Sequence, residues 1–232
     1  MGYILNNLMQ QYELYSFDVW DTLIKSNPKF SIERAPAINQ IFESYACDIF
    51  TIAEINNAFR EVKKMHDQII LMSSRCISAE QLISIALIKL GFQSNAHADL
   101  IEDIHAKVNE LFLENLPIVH DDVYTVLDNL NAKNRILTVL CNTGFIPGDT
   151  LLEAFKRLNL DKYFNDFHFS DEGALWAKPS LEFFKYNLEY SIPVENILHV
   201  GDNKYTDGGA KKYGMNFYQV HSNSNKLIDL IS

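Results

Sequence analysis

The sequence predicts an α/β fold in which a core built on a parallel sheet is interrupted, directly after its first strand, by an all-helical insertion. Three observations carry this. A short apolar run, Leu14-Tyr15-Ser16, leads into Phe17-Asp18-Val19-Trp20-Asp21-Thr22-Leu23 and puts a carboxylate where a buried strand would end. Residues from Arg34 to about Leu116 then hold almost no turn formers inside segments and repeat apolar side chains at three- and four-residue spacing, which is helical. From Ile118 onward, strand-like and helix-like stretches alternate, so the strands run parallel through right-handed crossovers and share one carboxyl edge.

Each element follows from local chemistry. Four helices are expected in the insertion. Thr51-Ile52-Ala53-Glu54 opens one and Ser78-Ala79-Glu80-Gln81 another, each able to close a capping box on the free amides of a first turn. Gly91 suits a carboxyl-terminal glycine stop, and Pro117 ends the last helix, expected over Ala98 to Asn115. Beyond it, helix is expected over Asp122–Ala132, Asp149–Leu158, Ser180–Tyr190, Thr206–Tyr213 and Lys226–Ile231. Strand is expected over Arg135–Cys141, Asp166–Ser170, Ile197–Gly201 and Asn216–Val220. The polar stretch Ser222-Asn223-Ser224-Asn225 reads as a turn. This places the core in residues 1–25 and 117–232 and the helical cap in 26–116.

Composition narrows the function. A 47% apolar content over 232 residues is enough to fill a large core without staples. The formal charge of −10 argues against nucleic acid or an anionic membrane as partner, because either needs a basic face. Cys47, Cys76 and Cys141 are too few and scattered for a disulfide framework, and no two share a metal-site spacing. The N-terminal stretch from Met1 to Gln11 shows no apolar leader core, and no run approaches membrane-spanning length, so a cytoplasmic protein is expected.

Parallel topology brings Asp18, Asn142 and Asp202 to one edge, the place where open α/β sheets bind ligands. Asp18, the pair Lys178-Pro179, and the segment Gly201-Asp202-Asn203-Lys204-Tyr205-Thr206-Asp207-Gly208-Gly209-Ala210 stand in an order that resembles the haloacid dehalogenase (HAD) superfamily. The resemblance implies a Rossmann-like core and magnesium-dependent phosphoryl transfer to an aspartate. Asp18 takes the nucleophile position. Lys178 takes that of the ammonium that neutralises nucleophile and phosphate, and as a point charge it suits a tetrahedral oxyanion. Asp18, the carbonyl of Trp20 and Asp202, with water, form an oxygen set suited to Mg2+, and Asp207 either joins it or orients Lys178.

Two positions depart from the family pattern. The residue two beyond the nucleophile, usually an aspartate that protonates the leaving oxygen, is Trp20, and Asp21 follows one position late. Losing a positioned acid typically costs on the order of 10²–10⁴ in rate. In Leu140-Cys141-Asn142-Thr143-Gly144, Cys141 replaces the family's phosphate-gripping hydroxyl residue; a thiol is a weak donor, and Thr143 compensates only if its loop turns inward. Asn142 completes the catalytic set, and Trp20, Asp21, Cys141 and Thr143 are the expected substrate contacts.

Taken singly, the fragments have plainer meanings. His199, within an apolar strand, reads as a satisfied core histidine, and none of the seven histidines enters the site. Cys141 reads as a small buried apolar side chain. Lys63 and Lys64 with Arg60 read as a solvated helix face. Lys25, Asn27, Arg34, Arg60 and Arg75 are candidates for substrate selection, being polar and near the insertion's junctions or helix faces. The functional expectation is a hydrolase of a small phosphorylated metabolite, monomeric or homodimeric, working through an aspartyl phosphate. Its alternatives are a HAD-fold module that binds ligand or protein without turnover and a metal-independent 2-haloacid dehalogenase. Trp20 fits the dehalogenase, but the Gly-Asp of the last segment does not, since such enzymes have Ser-Asn there.

Overall fold

The computed structural model describes residues 12–45, 47–93, 98–220 and 226–231. The N-terminal stretch to Gln11, the expected turn at 222–225, and His97 and His221 lie outside the described residues. The core sheet contains β1 (Leu14–Phe17), β4 (Ile136–Cys141), β5 (Asp166–Phe169), β6 (Ile197–Gly201) and β7 (Asn216–Gln219), in the order β5-β4-β1-β6-β7. All four pairings are parallel. Because β1 and β6 are central and covered on both faces, every residue in them is buried, which is why they read as continuous runs rather than alternating ones. The chain leaves β1, builds β4 and β5 on one side, and returns to place β6 on the other. The strand order therefore reverses at β1, and the crevice of such a switch point opens at its carboxyl end.

Four helices follow β1: α1 (Pro28–Ser44), α2 (Ile52–Ser73), α3 (Ala79–Lys89) and α4 (Ala98–Glu114). Both expected capping boxes are present, and Gly91, at φ +100°, follows the end of α3 in the conformation only glycine adopts freely. The first helix starts six residues earlier than the expected Arg34. Asn27 accepts the Lys29 amide at 3.0 Å and Pro28 sits in the first turn, where its missing N–H costs nothing. A two-stranded antiparallel ribbon, β2 (Ile24–Lys25) with β3 (Ile118–Val119), joins the two ends of this helical segment. Two-residue strands leave no periodic trace in a sequence, so it was not expected.

Around the sheet lie α5 (Val123–Ala132), α6 (Gly148–Arg157) and α7 (Leu181–Phe184). The three late helices are a correction: residues 185–190, 207–213 and 227–230 wind as 3-10 helix, and only Leu181–Phe184 is α. Gly208 and Gly209 weaken α propagation in the second of them. The main apolar cluster runs from the sheet into α1–α4, and a smaller one around Phe183, Phe184 and Ile197 fills the opposite face.

Candidate active site

Asp18 stands one residue past β1, its amide donating to the Val200 carbonyl at 2.8 Å, so its carboxylate emerges where β1 and β6 end together. Lys178, 1% exposed, donates from Nζ to Asp18 Oδ1 at 2.7 Å and lies 2.7 Å from Asp207 Oδ1. Thr22 Oγ1 donates to Asp18 Oδ2 at 3.3 Å. Asp207 is further held by the Asn203 amide at 2.9 Å and by His199 Nε2 at 3.3 Å, while His199 Nδ1 meets Ser16 Oγ at 2.9 Å. A Cβ at Gly201 would overlap the Asp207 carboxyl, and one at Gly209 would overlap the Pro179 ring, so the two glycines let these segments close on each other.

One oxygen each from Asp18, Asp202 and Asp207 lies within 4.8 Å of the others. Three carboxylates share one ammonium, and the compensation is unequal. Burial raises the Asp18 pKa more than Lys178 lowers it, and Asp207 and Asp202 push it the same way as burial. Burial also disfavours charge on Asp207, but Lys178 and His199 overturn that and leave its pKa lowered. Lys178 is held protonated against burial by Asp18 and Asp207. Asp202 is pushed up to about 6 by burial, then Asp207, then Asp21.

Asn142 does not face the reacting centre with its amide. It accepts the Lys178 N–H at 2.8 Å and donates to the Lys178 carbonyl at 2.9 Å, which makes it a positioning residue for the lysine. Cys141 departs from its expected substrate contact: it is fully buried, its thiol directed to the Asn142 carbonyl at 3.5 Å, behind a cavity wall made by Asn142 and Thr143. Thr143 borders the cavity, but its hydroxyl meets Ser170 Oγ at 3.2 Å and Cys76 Sγ at 3.7 Å, neither of them on the cavity wall, and its amide donates to the Ser170 oxygen at 2.9 Å.

Trp20 and Asp21 both line the cavity, which measures about 460 Å³. Trp20 is half-buried against Phe112 of α4, ring centroids 6.0 Å apart. Asp21 is exposed, has a left-handed backbone (φ +57°), and is near enough to Asp202 to raise its pKa. Of the five selection candidates Arg34 alone borders the cavity. Asn27 caps α1 and donates to the Leu116 carbonyl, Arg75 lies over the Trp176 ring, and Lys25 and Arg60 are exposed. Lys63 does border it, although exposed and paired with Asp67 at 2.8 Å.

Thr22, Ser170 and His66 escaped the sequence reading, whereas His199 is the satisfied core histidine expected, buried with its ring nitrogens meeting Ser16 and Asp207. Thr22 had a signal, a hydroxyl four residues beyond a strand-end carboxylate. His66 Nε2 accepts the Ile77 amide at 3.2 Å and borders the cavity from α2, which only the packing of α2 over the sheet reveals.

The carboxylate set fits a hard divalent cation. Among the described residues no other side chain hydrogen-bonds the Asp202 carboxylate, which meets its own backbone amide, Asp18 keeps lone pairs beside its two donors, and repulsion among the three would be relieved by positive charge. Among the described residues no helix is long and apolar enough to cross a membrane.

The family model for haloacid dehalogenase-like hydrolase matches residues 12–213. No curated protein matches the chain. Similar solved structures include YfnB from Bacillus subtilis, assigned as a HAD-hydrolase and bound to magnesium, at 19% identity and TM-score 0.65, covering 93% of this chain and 91% of that one. A predicted phosphoglycolate phosphatase from Haemophilus somnus 129pt is 16% identical at TM-score 0.62, covering 95% and 92%. The L-2-haloacid dehalogenase from Xanthobacter autotrophicus is 17% identical at TM-score 0.58, covering 90% and 77%.

Proposed function

The chain belongs to the haloacid dehalogenase-like hydrolase family, and from that premise we propose that it is a magnesium-dependent phosphatase of a small metabolite, working through an aspartyl phosphate on Asp18. The observation that carries this reading is the Asp18 carboxylate, held by Lys178 at 2.7 Å on the floor of a cavity it shares with the Asp202 carboxylate. Residues 1–25 and 117–232 are the core that supplies this floor, and 26–116 the cap that closes over it. The setting is the cytoplasm, and the enzyme acts as a monomer or homodimer.

In this mechanism Asp18 Oδ attacks phosphorus, and the bond from phosphorus to the ester oxygen breaks. Lys178 fixes the attacking carboxylate and offsets charge on the phosphoryl oxygens. Asp21 is the proton donor to the leaving oxygen, replacing the residue-20 carboxylate that Trp20 displaces. It borders the cavity, and among the described residues no side-chain hydrogen bond holds it elsewhere. Water then attacks the aspartyl phosphate and gives its proton back to Asp21, restoring both groups. Asp18, Asp202 and the Trp20 carbonyl are the groups that would hold magnesium, with Asp207 serving to orient Lys178. Bound there, the ion supplies charge stabilisation for the phosphoryl group.

The second reading, binding without turnover, is favoured by Trp20, an indole where an acid is usual. A metabolite-phosphate screen with and without magnesium, with Asp18→Asn as control, separates the two. Phosphate release that needs both magnesium and Asp18 supports the enzyme, and none from any substrate supports the binding module.

A further inference from the structure

The chemistry proposed above leaves one charge in the cavity without employment. Arg34, in α1, borders the cavity, and its Nε is buried with no hydrogen-bond partner. Its guanidinium lies 5.0 Å from the centroid of the Phe59 ring and 5.8 Å from that of Phe30. Among the described residues no carboxylate forms an ion pair with it, and burial alone, with no acid opposing it, lowers its pKa. The other cations on the cavity wall are engaged: Lys178 by Asp18 and Asp207, Lys63 by Asp67.

A desolvated cation without a counter-ion opposes folding. Aromatic faces recover part of that cost and fix the direction of the fork, yet they leave its N–H donors free. Such a fork matches the two oxygens of a carboxylate or phosphate. Trp20, Phe30, Ile70, Leu82 and Phe145 give the same cavity apolar walls, suited to a carbon skeleton between two charged ends.

We infer that Arg34 binds a second anionic group of the substrate, remote from the reacting phosphoryl group. The substrate class is then a small phosphorylated carboxylic acid or a bisphosphate with an apolar middle. For the reacting end this rests on the hydrolase reading above; the Arg34 subsite is a separate claim and is tested separately.

The test uses three phosphonates that cannot be hydrolysed, titrated calorimetrically into the full chain with magnesium: benzylphosphonate, 4-carboxybenzylphosphonate and 1,4-xylylenebisphosphonate. A charged hydrogen bond of about 1.5–3 kcal/mol predicts that at least one of the compounds with two anionic groups binds roughly ten- to hundredfold tighter than benzylphosphonate. Which of the two it is distinguishes carboxylate from phosphate. Arg34→Met erases the preference, and Arg34→Lys, a charge without the fork, keeps only part of it. Equal binding of all three by wild type overturns the inference, and so does a preference that survives in folded Arg34→Met. Parallel assays of benzyl phosphate and 4-carboxybenzyl phosphate keep the two claims apart. Selective binding with no turnover of either ester sustains Arg34 and removes the hydrolase, whereas turnover of both esters, with equal binding of all three phosphonates, does the reverse.

Discussion

The floor and the roof of the cavity treat their cations in opposite ways. On the floor, Lys178 sits between Asp18 and Asp207, and the lysine backbone is clamped by Asn142, so charge and position are both settled before any ligand arrives. On the roof, Arg34 is half-buried against two phenyl rings, its Nε buried and unpartnered, and among the described residues no anion pairs with it. The difference teaches where each task resides. Chemistry common to many substrates needs a preorganised charge array, while choice among substrates needs an interaction that only the right ligand completes.

The largest effect expected from the floor is on rate. Asp21→Asn should slow alkyl-phosphate turnover by on the order of 10²–10⁴ while sparing aryl esters, whose leaving groups need no proton. Steady-state assays of both classes check it, and equal loss on both would remove Asp21 as the acid. Trp20→Asp should restore alkyl turnover to the Asp21→Asn background.

Stability gives the sharpest contrast between the two cations. Lys178→Met leaves two buried carboxylates uncompensated and should cost about 3–5 kcal/mol. At this size that lowers Tm by roughly 6–20 °C. Arg34→Met, the same change on the roof, should leave Tm unchanged or raise it, since it removes a charge that no carboxylate among the described residues offsets and aromatic faces offset only in part. Thermal unfolding of the two variants without ligand decides; a loss at Arg34 equal to that at Lys178 would break the comparison.

Within the floor, Asp202 meets only its own backbone amide among the described residues, whereas Asp207 accepts from Asn203 and His199. Asp202→Asn should weaken magnesium binding by roughly tenfold or more with little change in Tm. Asp207→Asn should act chiefly on Tm, because its carboxylate holds Lys178 and accepts from Asn203. Calorimetric titration and thermal unfolding of both variants test this, and equal magnesium affinity in wild type and Asp202→Asn would refute it.

A smaller effect follows from pH. The Asp202 pKa lies at about 6 in the fold against an ordinary 3.8, so the unfolded chain releases this proton first. Its contribution to stability is complete below the ordinary value and is lost as pH rises through about 6. Magnesium competes with that proton, so the rise in Tm on adding the ion should grow between about pH 5 and pH 7 and flatten in Asp202→Asn. A magnesium-induced rise that is constant across this range in wild type would contradict the assignment.

Much of this arrangement was legible in the sequence because it rests on strand ends. Asp18, Lys178, Asp202 and Asp207 are each fixed by a strand end or by the loop that follows one, and parallel topology alone brings such points to one edge. The capping boxes at Thr51 and Ser78 were readable for the same local reason. What the sequence did not disclose depends on packing between distant segments. Asn142 reads as a member of the catalytic set, and only the fold shows its amide clamping Lys178, thirty-six residues away. Cys141 occupies a motif position but points behind the cavity wall. Arg34 was one polar candidate among five; only the seating of α1 over the sheet singles it out.

The central claim, that Asp18 is the nucleophile of a phosphatase, is tested most directly by trapping. Enzyme mixed with magnesium and an aryl phosphate is quenched in acid, digested and sequenced by mass spectrometry. The account predicts one phosphoryl group on the Asp18 side chain in wild type and none in Asp18→Asn, which also releases no phosphate. Turnover without phosphorylated Asp18 in the quenched wild type, or the phosphoryl group on another residue, would contradict it.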